Sequence, residues 1–258
     1  MTTPTGFIGA GNMARALIGA IAAASPDRPL VACDIDAEKL KAFEGLARTT
    51  TDPAVVLEKA DIVFLCVKPQ VLRQVLDGIR DHVRPDMIVV SIAAGVQLAS
   101  LDLDCKVVRV MPNTPCLVGE MAGAFCANER TTEADKRQVR ELLDAAGVAV
   151  ELPEARMDAV TGLSGSGPAF VARIIQGFVE AGVANGLDAA TAKKLTLKTF
   201  AGTAKMLETM EPEELIEMVT SPNGTTAAGR DVLEQSDLKD VIEKTVTTAV
   251  ERSRELGR

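Results

Sequence analysis

Phe7-Ile8-Gly9-Ala10-Gly11-Asn12-Met13-Ala14 decides how the first half of the chain is read. A short apolar run, Gly6–Gly9, leads through Ala10 to a further glycine, Gly11, and a run rich in Ala, Leu and Ile, Asn12–Ala24, follows. This is the order strand, tight turn, helix. In Gly9-x-Gly11-x-x-Ala14, Gly9 permits the turn, Gly11 lets the backbone approach a pyrophosphate, and Ala14 allows close helix–strand packing. The N–H groups opening the helix then face the phosphates. Ile8, Gly9, Ala10, Gly11, Asn12 and Met13 are therefore candidate dinucleotide contacts. The alternative is a glycine turn that only packs tightly.

The same alternation continues downstream. Leu30–Asp34 reads as a strand and Ala37–Leu46 as a helix. Asp61–Lys68 is a continuous apolar run of the kind a central parallel strand shows. Val71–Val83 reads as a helix, and Met87–Ile92 and Lys106–Met111 as further strands. This rhythm predicts an α/β fold with a Rossmann-type, doubly wound parallel sheet. Glu133–Ala146 reads as an amphipathic helix stopped by Gly147 as its C′ glycine, with a last strand over Val148–Leu152.

Beyond Pro153 only helices are expected. Pro168–Gly182 is apolar on most faces, with one polar stripe of Arg173, Gln176 and Glu180, so it must be largely buried. Asp188 can cap a helix running to about Thr209, and Pro212 can stand at the first position of the next. Leu238, Val241, Ile242, Val246, Val250 and Leu256 follow the helical period. The chain thus divides into a dinucleotide-binding domain, residues 1–153, and an all-α domain, residues 154–258. A helical half with one nearly all-apolar helix stands poorly alone, so it is expected to dimerise.

Composition bounds the chemistry. A length of 258 residues, 47% hydrophobic and 25% charged, is that of a globular protein of one large or two modest domains. A net charge of −8 argues against nucleic acid or an anionic membrane as partner. The five cysteines are scattered without a C-x-x-C pair, which fits a reducing compartment and no metal site. Met1-Thr2-Thr3-Pro4-Thr5 carries no basic region, so no secretory signal is expected and the protein is placed in the cytoplasm. There is no Trp and no Tyr, which excludes a tyrosine general acid. The one histidine, His82, falls at a helix end and is read as structural.

Further candidates lie where strands end. Asp34 can accept a hydrogen bond from an adenosine ribose 2′-OH and would repel a 2′-phosphate, unless it is only a helix cap, a role for which Asp36 competes. Lys39 and Lys41 are nearby but read as one helical turn too far to meet that phosphate. Val67-Lys68-Pro69 follows the central strand, where Lys68 either touches phosphate or is simply solvated. Ala93-Ala94-Gly95 and Asn113 belong to loops small and rigid enough to line a cofactor. Asn113 either orients a nicotinamide amide or does ordinary turn work.

Two hydroxyl-rich segments mark the helical half. Ser164-Gly165-Ser166-Gly167-Pro168 is either functional or a capped linker. Ser221-Pro222-Asn223-Gly224 has the chemistry of a type I turn and feeds Thr225-Thr226 at a helix start. Hydroxyls and free N–H groups at a helix N-terminus can hold a carboxylate, and a capped loop is the plainer alternative.

These segments together resemble the pyrroline-5-carboxylate reductase family over nearly the whole chain. The resemblance is carried by Phe7–Ala14, Val67–Gln70, Ser91–Gly95, Arg109–Pro115, Met157–Thr161, Leu163–Pro168, Ala181–Val183 and Ser221–Thr226. It implies reduction of L-1-pyrroline-5-carboxylate, a cyclic imino acid, to L-proline with NADPH or NADH. It implies a homodimer interlocked through the helical domain, with five dimers forming a decamer, and an active site shared between cofactor and helical-domain residues. Ser221 with the Gly224, Thr225 and Thr226 amides would hold the substrate carboxylate, Ser164 would join them, and Thr226 would contact the ring nitrogen as the catalytic residue. Asn223 stands where the family has glycine, and Asn tolerates the left-handed conformation. Asp34 departs from the family's common NADPH preference.

Two other readings use the same features. One is another imine- or β-hydroxyacid-reducing enzyme of this architecture. A β-hydroxyacid enzyme would need a catalytic lysine on the first helix of the second domain, whereas Lys193, Lys194 and Lys198 fall on the later helix. The other is a non-catalytic dinucleotide sensor, which would not need Ser221 or Thr226.

Overall fold

The computed structural model describes residues 3–257. Met1 and Thr2, which belong to the leader reading above, and Arg258 lie outside the described residues. Two compact units are present, one reaching Ser166 and taking in the chain again from Thr248, the other spanning Gly167–Thr247.

The first unit is built on an eight-stranded sheet. Its elements begin β1 (Thr5–Ile8), α1 (Asn12–Ala24), β2 (Leu30–Cys33), α2 (Ala37–Leu40), β3 (Arg48–Thr50) and α3 (Pro53–Lys59). They continue β4 (Ile62–Leu65), α4 (Pro69–Ile79), β5 (Ile88–Ser91), α5 (Leu98–Leu101), β6 (Lys106–Met111) and β7 (Met121–Ala127). Then come α6 (Glu133–Asp144), β8 (Gly147–Glu151) and α7 (Met157–Val160). The strand order is β3-β2-β1-β4-β5-β6-β7-β8, parallel except between β6 and β7.

Alternation along the strands sends side chains to two cores, one on each face. Phe7 and Phe64 are register partners on β1 and β4 and stack at 5.0 Å, facing Leu17, Ile18 and Ile21 of α1. Ile8, Val63 and Leu65 face the other way, onto Val56 and Leu57 of α3 and Leu72 and Leu76 of α4. Each fully buried side chain of this size contributes about 1.5–3 kcal/mol. With both faces covered, the strands need no polar face, which is why β4 reads as an unbroken apolar run and β1 and β5 carry only Thr5 and Ser91 as polar residues.

Several expectations need correction. The helix expected over Ala37–Leu46 stops at Leu40, passes through a 3-10 turn over Lys41–Phe43 and ends at Gly45, whose φ is +79°. Strand β3 is short and polar, and gives no apolar signal. Helix α3 has the Asp52 cap on the Ala54 N–H and Pro53 at its start, signals the hydrophobic period alone passes over. Strand β7 adds an antiparallel member to a sheet expected to be parallel.

Gly147 is not a helix-capping glycine. Its φ of +145° lies outside the helical C′ geometry, and it opens β8 beside Met121. A Cβ there would collide with the backbone N and O of Met121 and lie 2.7 Å from its Cα. Gly147→Ala is therefore expected to destabilise the protein by roughly 3 kcal/mol, read as a lower denaturant midpoint. Gly78→Ala on α4, where a Cβ meets nothing within 4 Å, is the contrast and should be neutral or stabilising.

The second unit is helical throughout: α8 (Gly167–Ala184), α9 (Ala189–Met206), α10 (Pro212–Val219) and α11 (Thr225–Glu234), with the opening of α12 (Leu238–Leu256). Asp188 caps α9 through the Thr191 N–H at 3.0 Å, and Pro212 opens α10, as expected. Gly186, at φ +95°, turns the chain between α8 and α9, and Phe178 meets Phe200 edge-on at 5.2 Å. Yet Ala192 is the only residue of this unit that is buried among those described. Helix α8 packs on α9 yet is only partly covered: Val171, Ile174 and Phe178 lie on one face, and Phe178 is 54% exposed. No helix among the described residues is long and apolar enough to cross a membrane.

Candidate active site

The order of the sheet reverses direction between β1 and β4, where open α/β sheets bind ligands at the strands' carboxyl ends. The glycine turn stands at that point. The Gly9 N–H donates to the Cys33 carbonyl at 2.8 Å, and the Cys66 N–H donates to the Ile8 carbonyl at 2.7 Å, so the turn is tied to β2 and β4 together. Gly9 has φ +102°, and a Cβ on it would lie 2.7 Å from the Cys66 carbonyl oxygen. Gly11 is the extended N-cap of α1, with no side chain to cap the first-turn N–H groups and open space around its Cα. Ala14 is fully buried against the sheet. These are the features of a phosphate cradle: uncapped donors and room for an anion to approach.

Asp34, just past β2, is held by the chain itself. Its Oδ2 accepts from the Ala10 N–H at 2.8 Å, and its Oδ1 from the Asp36 N–H at 2.9 Å. Asp36, not Asp34, caps α2 through the Glu38 N–H at 3.0 Å. Lys39 lies 3.6 Å from Asp34 and 3.9 Å from Asp36. Lys39 lies three residues after the N-cap Asp36, a spacing that puts it on the same side of the helix start. Lys41 instead pairs with Glu38 at 2.7 Å.

The other candidate loops take distinct places. Val67 is half-buried, and Lys68 is the exposed N-cap of α4, with Pro69 at the first helical position. Ala93 is buried and Ala94 exposed, and Gly95 adopts φ +76°. The Ala93 N–H donates to Ser91 Oγ at 3.3 Å. Asn113 is buried and works as a brace: its Nδ2 donates to the Ser164 carbonyl at 3.1 Å and its Oδ1 accepts from the Ala122 N–H at 2.9 Å. Ser164 does not cap a helix. It lies in a π-helical turn over Thr161–Gly165, its hydroxyl donating to the Val160 carbonyl at 3.2 Å. His82 is exposed in a 3-10 turn.

One supporting pair escaped the sequence reading. Arg109 is buried in β6 and meets Glu154 Oε1 at 3.1 Å, and the same oxygen accepts from the Leu98 N–H at 2.7 Å. Glu154 thereby ties the segment following the Ala93–Gly95 loop to the sheet. The available signal was an arginine inside an otherwise apolar strand. The cysteines are not nucleophiles in this setting: burial pushes Cys33, Cys105 and Cys116 up to about 11 and Cys126 up to about 12. All five are unpaired, and among the described residues no group of three His, Cys, Asp or Glu is placed to hold a metal ion.

In the second unit, Ser221-Pro222-Asn223-Gly224 closes a turn through the Gly224 N–H to the Ser221 carbonyl at 3.0 Å. Asn223 has φ +59°, which fits a type II rather than the expected type I turn and uses the left-handed tolerance of asparagine. Gly224 is the N-cap of α11 and offers no side-chain cap. A Cβ on it would collide with Ser221 Oγ, so glycine is what allows the serine hydroxyl to lie against the helix start. Thr225 and Thr226 occupy the exposed first turn. The helix start thus combines uncapped N–H groups, the Ser221 hydroxyl beside Gly224 and two threonines, a set of donors that can hold a carboxylate.

Comparison with known proteins places both units. Residues 154–256 match the family described as pyrroline-5-carboxylate reductase dimerisation, and residues 4–95 match that described as NADP oxidoreductase coenzyme F420-dependent. The pyrroline-5-carboxylate reductase of Methanosarcina acetivorans is 42% identical, covering 98% of this chain and 97% of its own length. That of Pseudomonas aeruginosa is 40% identical, covering 100% of this chain and 98% of its own. Among solved structures, a pyrroline-5-carboxylate reductase from Coxiella burnetii superposes with a TM-score of 0.95 at 32% identity, each chain fully covered. The Plasmodium falciparum pyrroline carboxylate reductase with NADP bound gives 0.87 at 31% identity, covering 99% of this chain and 98% of that one.

Proposed function

Because this chain belongs to the pyrroline-5-carboxylate reductase family, we propose that it reduces L-1-pyrroline-5-carboxylate to L-proline with NADH or NADPH, the last step of proline biosynthesis. The observation that carries this onto the chain's own residues is the Ser221–Gly224 turn opening into the uncapped start of α11. Residues 1–153 take the cofactor and residues 154–258 the substrate and the partner subunit.

The glycine turn fits a dinucleotide, since Gly11 leaves α1 uncapped with open space in front of it. Ile8, Gly9, Ala10, Gly11, Asn12 and Met13 line the pyrophosphate, with Val67, Lys68 and Pro69 and with Ala93, Ala94 and Gly95 beside it. Asn113 supports this wall by bracing Ser164 and Ala122. When bound, the reduced nicotinamide supplies hydride to the imine carbon.

The protein's own residues orient the substrate and manage the nitrogen's proton. Ser221 and the Gly224, Thr225 and Thr226 amides hold the carboxylate, and Thr226 hydrogen-bonds the ring nitrogen and positions its proton. Ser164 is assigned to the substrate end of the site. A protonated iminium is already electrophilic, so no strong protein acid is required, in keeping with a chain that has one His and no Tyr.

The active unit is a homodimer, with five dimers in a decamer as the further assembly. The net charge of −8 supports a small-molecule substrate over nucleic acid, and five unpaired cysteines support a cytoplasmic setting. Cofactor deuterated at the transferable position tests the reaction. Proline formed from the imine should carry one deuterium on the former imine carbon, and proline without it would reject direct hydride transfer.

A further inference from the structure

The group that reads the adenosine end of the cofactor rests on the geometry at the end of β2. We propose that Asp34, Asp36 and Lys39 set the cofactor preference of this chain: NADH is taken over NADPH, and Lys39 is the residue on which its use of NADPH depends. This rests on the proposed function above and adds the specificity of its cofactor site.

Asp34 is fixed in place. Two backbone donors, the N–H groups of Ala10 and Asp36, hold its two oxygens at 2.8 and 2.9 Å, so the carboxylate cannot turn away from the glycine turn. A carboxylate has about four acceptor sites, which leaves capacity for ribose hydroxyls. The local charge is the second observation. Asp34 and Asp36 contribute two negative charges and Lys39 one positive charge, a net of −1 where a 2′-phosphate would arrive. Asp52, the cap of α3, adds to the acidity of this strand end: after burial, Asp34 and then Asp52 hold the Cys33 thiol up. NADH brings no charge to that place and NADPH brings a dianion.

Lys39 is the counterweight. Its side chain is 52% exposed, and at 3.6 and 3.9 Å its two ion pairs lie beyond hydrogen-bond length, so little holds it in place. A four-carbon stem lets its ammonium leave the two carboxylates for a phosphate. Lys41 cannot replace it while paired with Glu38 at 2.7 Å.

The test is a titration of NADH and NADPH into the purified protein, read by nicotinamide fluorescence, for the parent and for Lys39→Ala and Lys39→Arg. The absence of Trp and Tyr leaves the nicotinamide signal free of protein background. The parent should bind NADH about tenfold tighter than NADPH at low salt, and the gap should narrow as salt rises. Lys39→Ala should weaken NADPH about tenfold further and leave NADH within about twofold, with Lys39→Arg restoring NADPH. Equal or tighter NADPH binding by the parent, or an equal loss for both cofactors in Lys39→Ala, would overturn the proposal. Adding the imine afterwards separates the two claims: failure to oxidise bound cofactor counts against the reductase reading, while the binding ratio judges the preference.

Discussion

Thr226→Ala is expected to lower turnover about 100-fold while leaving cofactor affinity within about twofold of the parent. The residue lies in the exposed first turn of α11, beyond an N-cap, Gly224, that has no side chain. Replacing a β-branched residue by alanine there favours the helix by a few tenths of a kcal/mol, so a loss of activity cannot come from unfolding. The hydroxyl disappears together with the γ-methyl, and with the hydroxyl goes the partner proposed for the ring nitrogen. Thr226→Ser keeps the hydroxyl and should recover most of the rate. Parent-like turnover in Thr226→Ala would remove the residue from the mechanism, and it would leave the carboxylate-binding role of Ser221 to be tested by a rise in KM of Ser221→Ala.

Ile174→Asp should have the larger structural consequence. Ile174 is flanked by Val171 and Phe178 on one exposed face of α8, at helical spacing. The unit around it buries only Ala192 among its described residues, which is too little apolar burial to offset the entropy of ordering the helices. Residues 154–256 match a dimerisation family, and the homodimer proposed above would supply the missing burial from a second copy. A carboxylate placed in the middle of that face must be desolvated without a partner, which weakens self-association at least about 100-fold. Sedimentation should show monomer, and the melting temperature should lose the concentration dependence expected of the parent. Glu180→Gln, on the polar stripe with Gln176 at 2.8 Å, should leave the dimer intact. A dimeric Ile174→Asp protein would place the interface elsewhere.

What the sequence made legible follows from how strongly local and tertiary forces agree. Helix α1 begins and ends where its composition says, because the glycine turn and the apolar face point the same way. The same holds for β6 and for α12. The polar edge strand β3 was illegible, since three residues with no apolar face take their structure from β2 alone. Helix α3 carried a legible Asp-Pro start but only a short apolar stretch. Gly147 was misread because a glycine after a helix has two uses, and only the closeness of Met121 selects the strand.

The candidate site divides similarly. Gly9, Gly11 and the Ser221–Gly224 turn are local backbone features, and sequence reports those well. Lys39 depended on where Asp34 is held past β2, and Asn113 and Ser164 on a long-range hydrogen bond that no spacing encodes. The apolar helix α8 is expected to be buried against a second chain, and in the single chain Val171, Ile174 and Phe178 stay partly exposed, which leaves that expectation open. Its apolar pattern is the one the proposed dimer would use.

The most direct test is to add pyrroline-5-carboxylate to the purified protein with NADH, then with NADPH, and follow the loss of reduced nicotinamide absorbance. Rapid oxidation that depends on the imine is expected, with NADH the more efficient at limiting cofactor. No oxidation with either, in protein shown to bind one of them, would contradict the assignment.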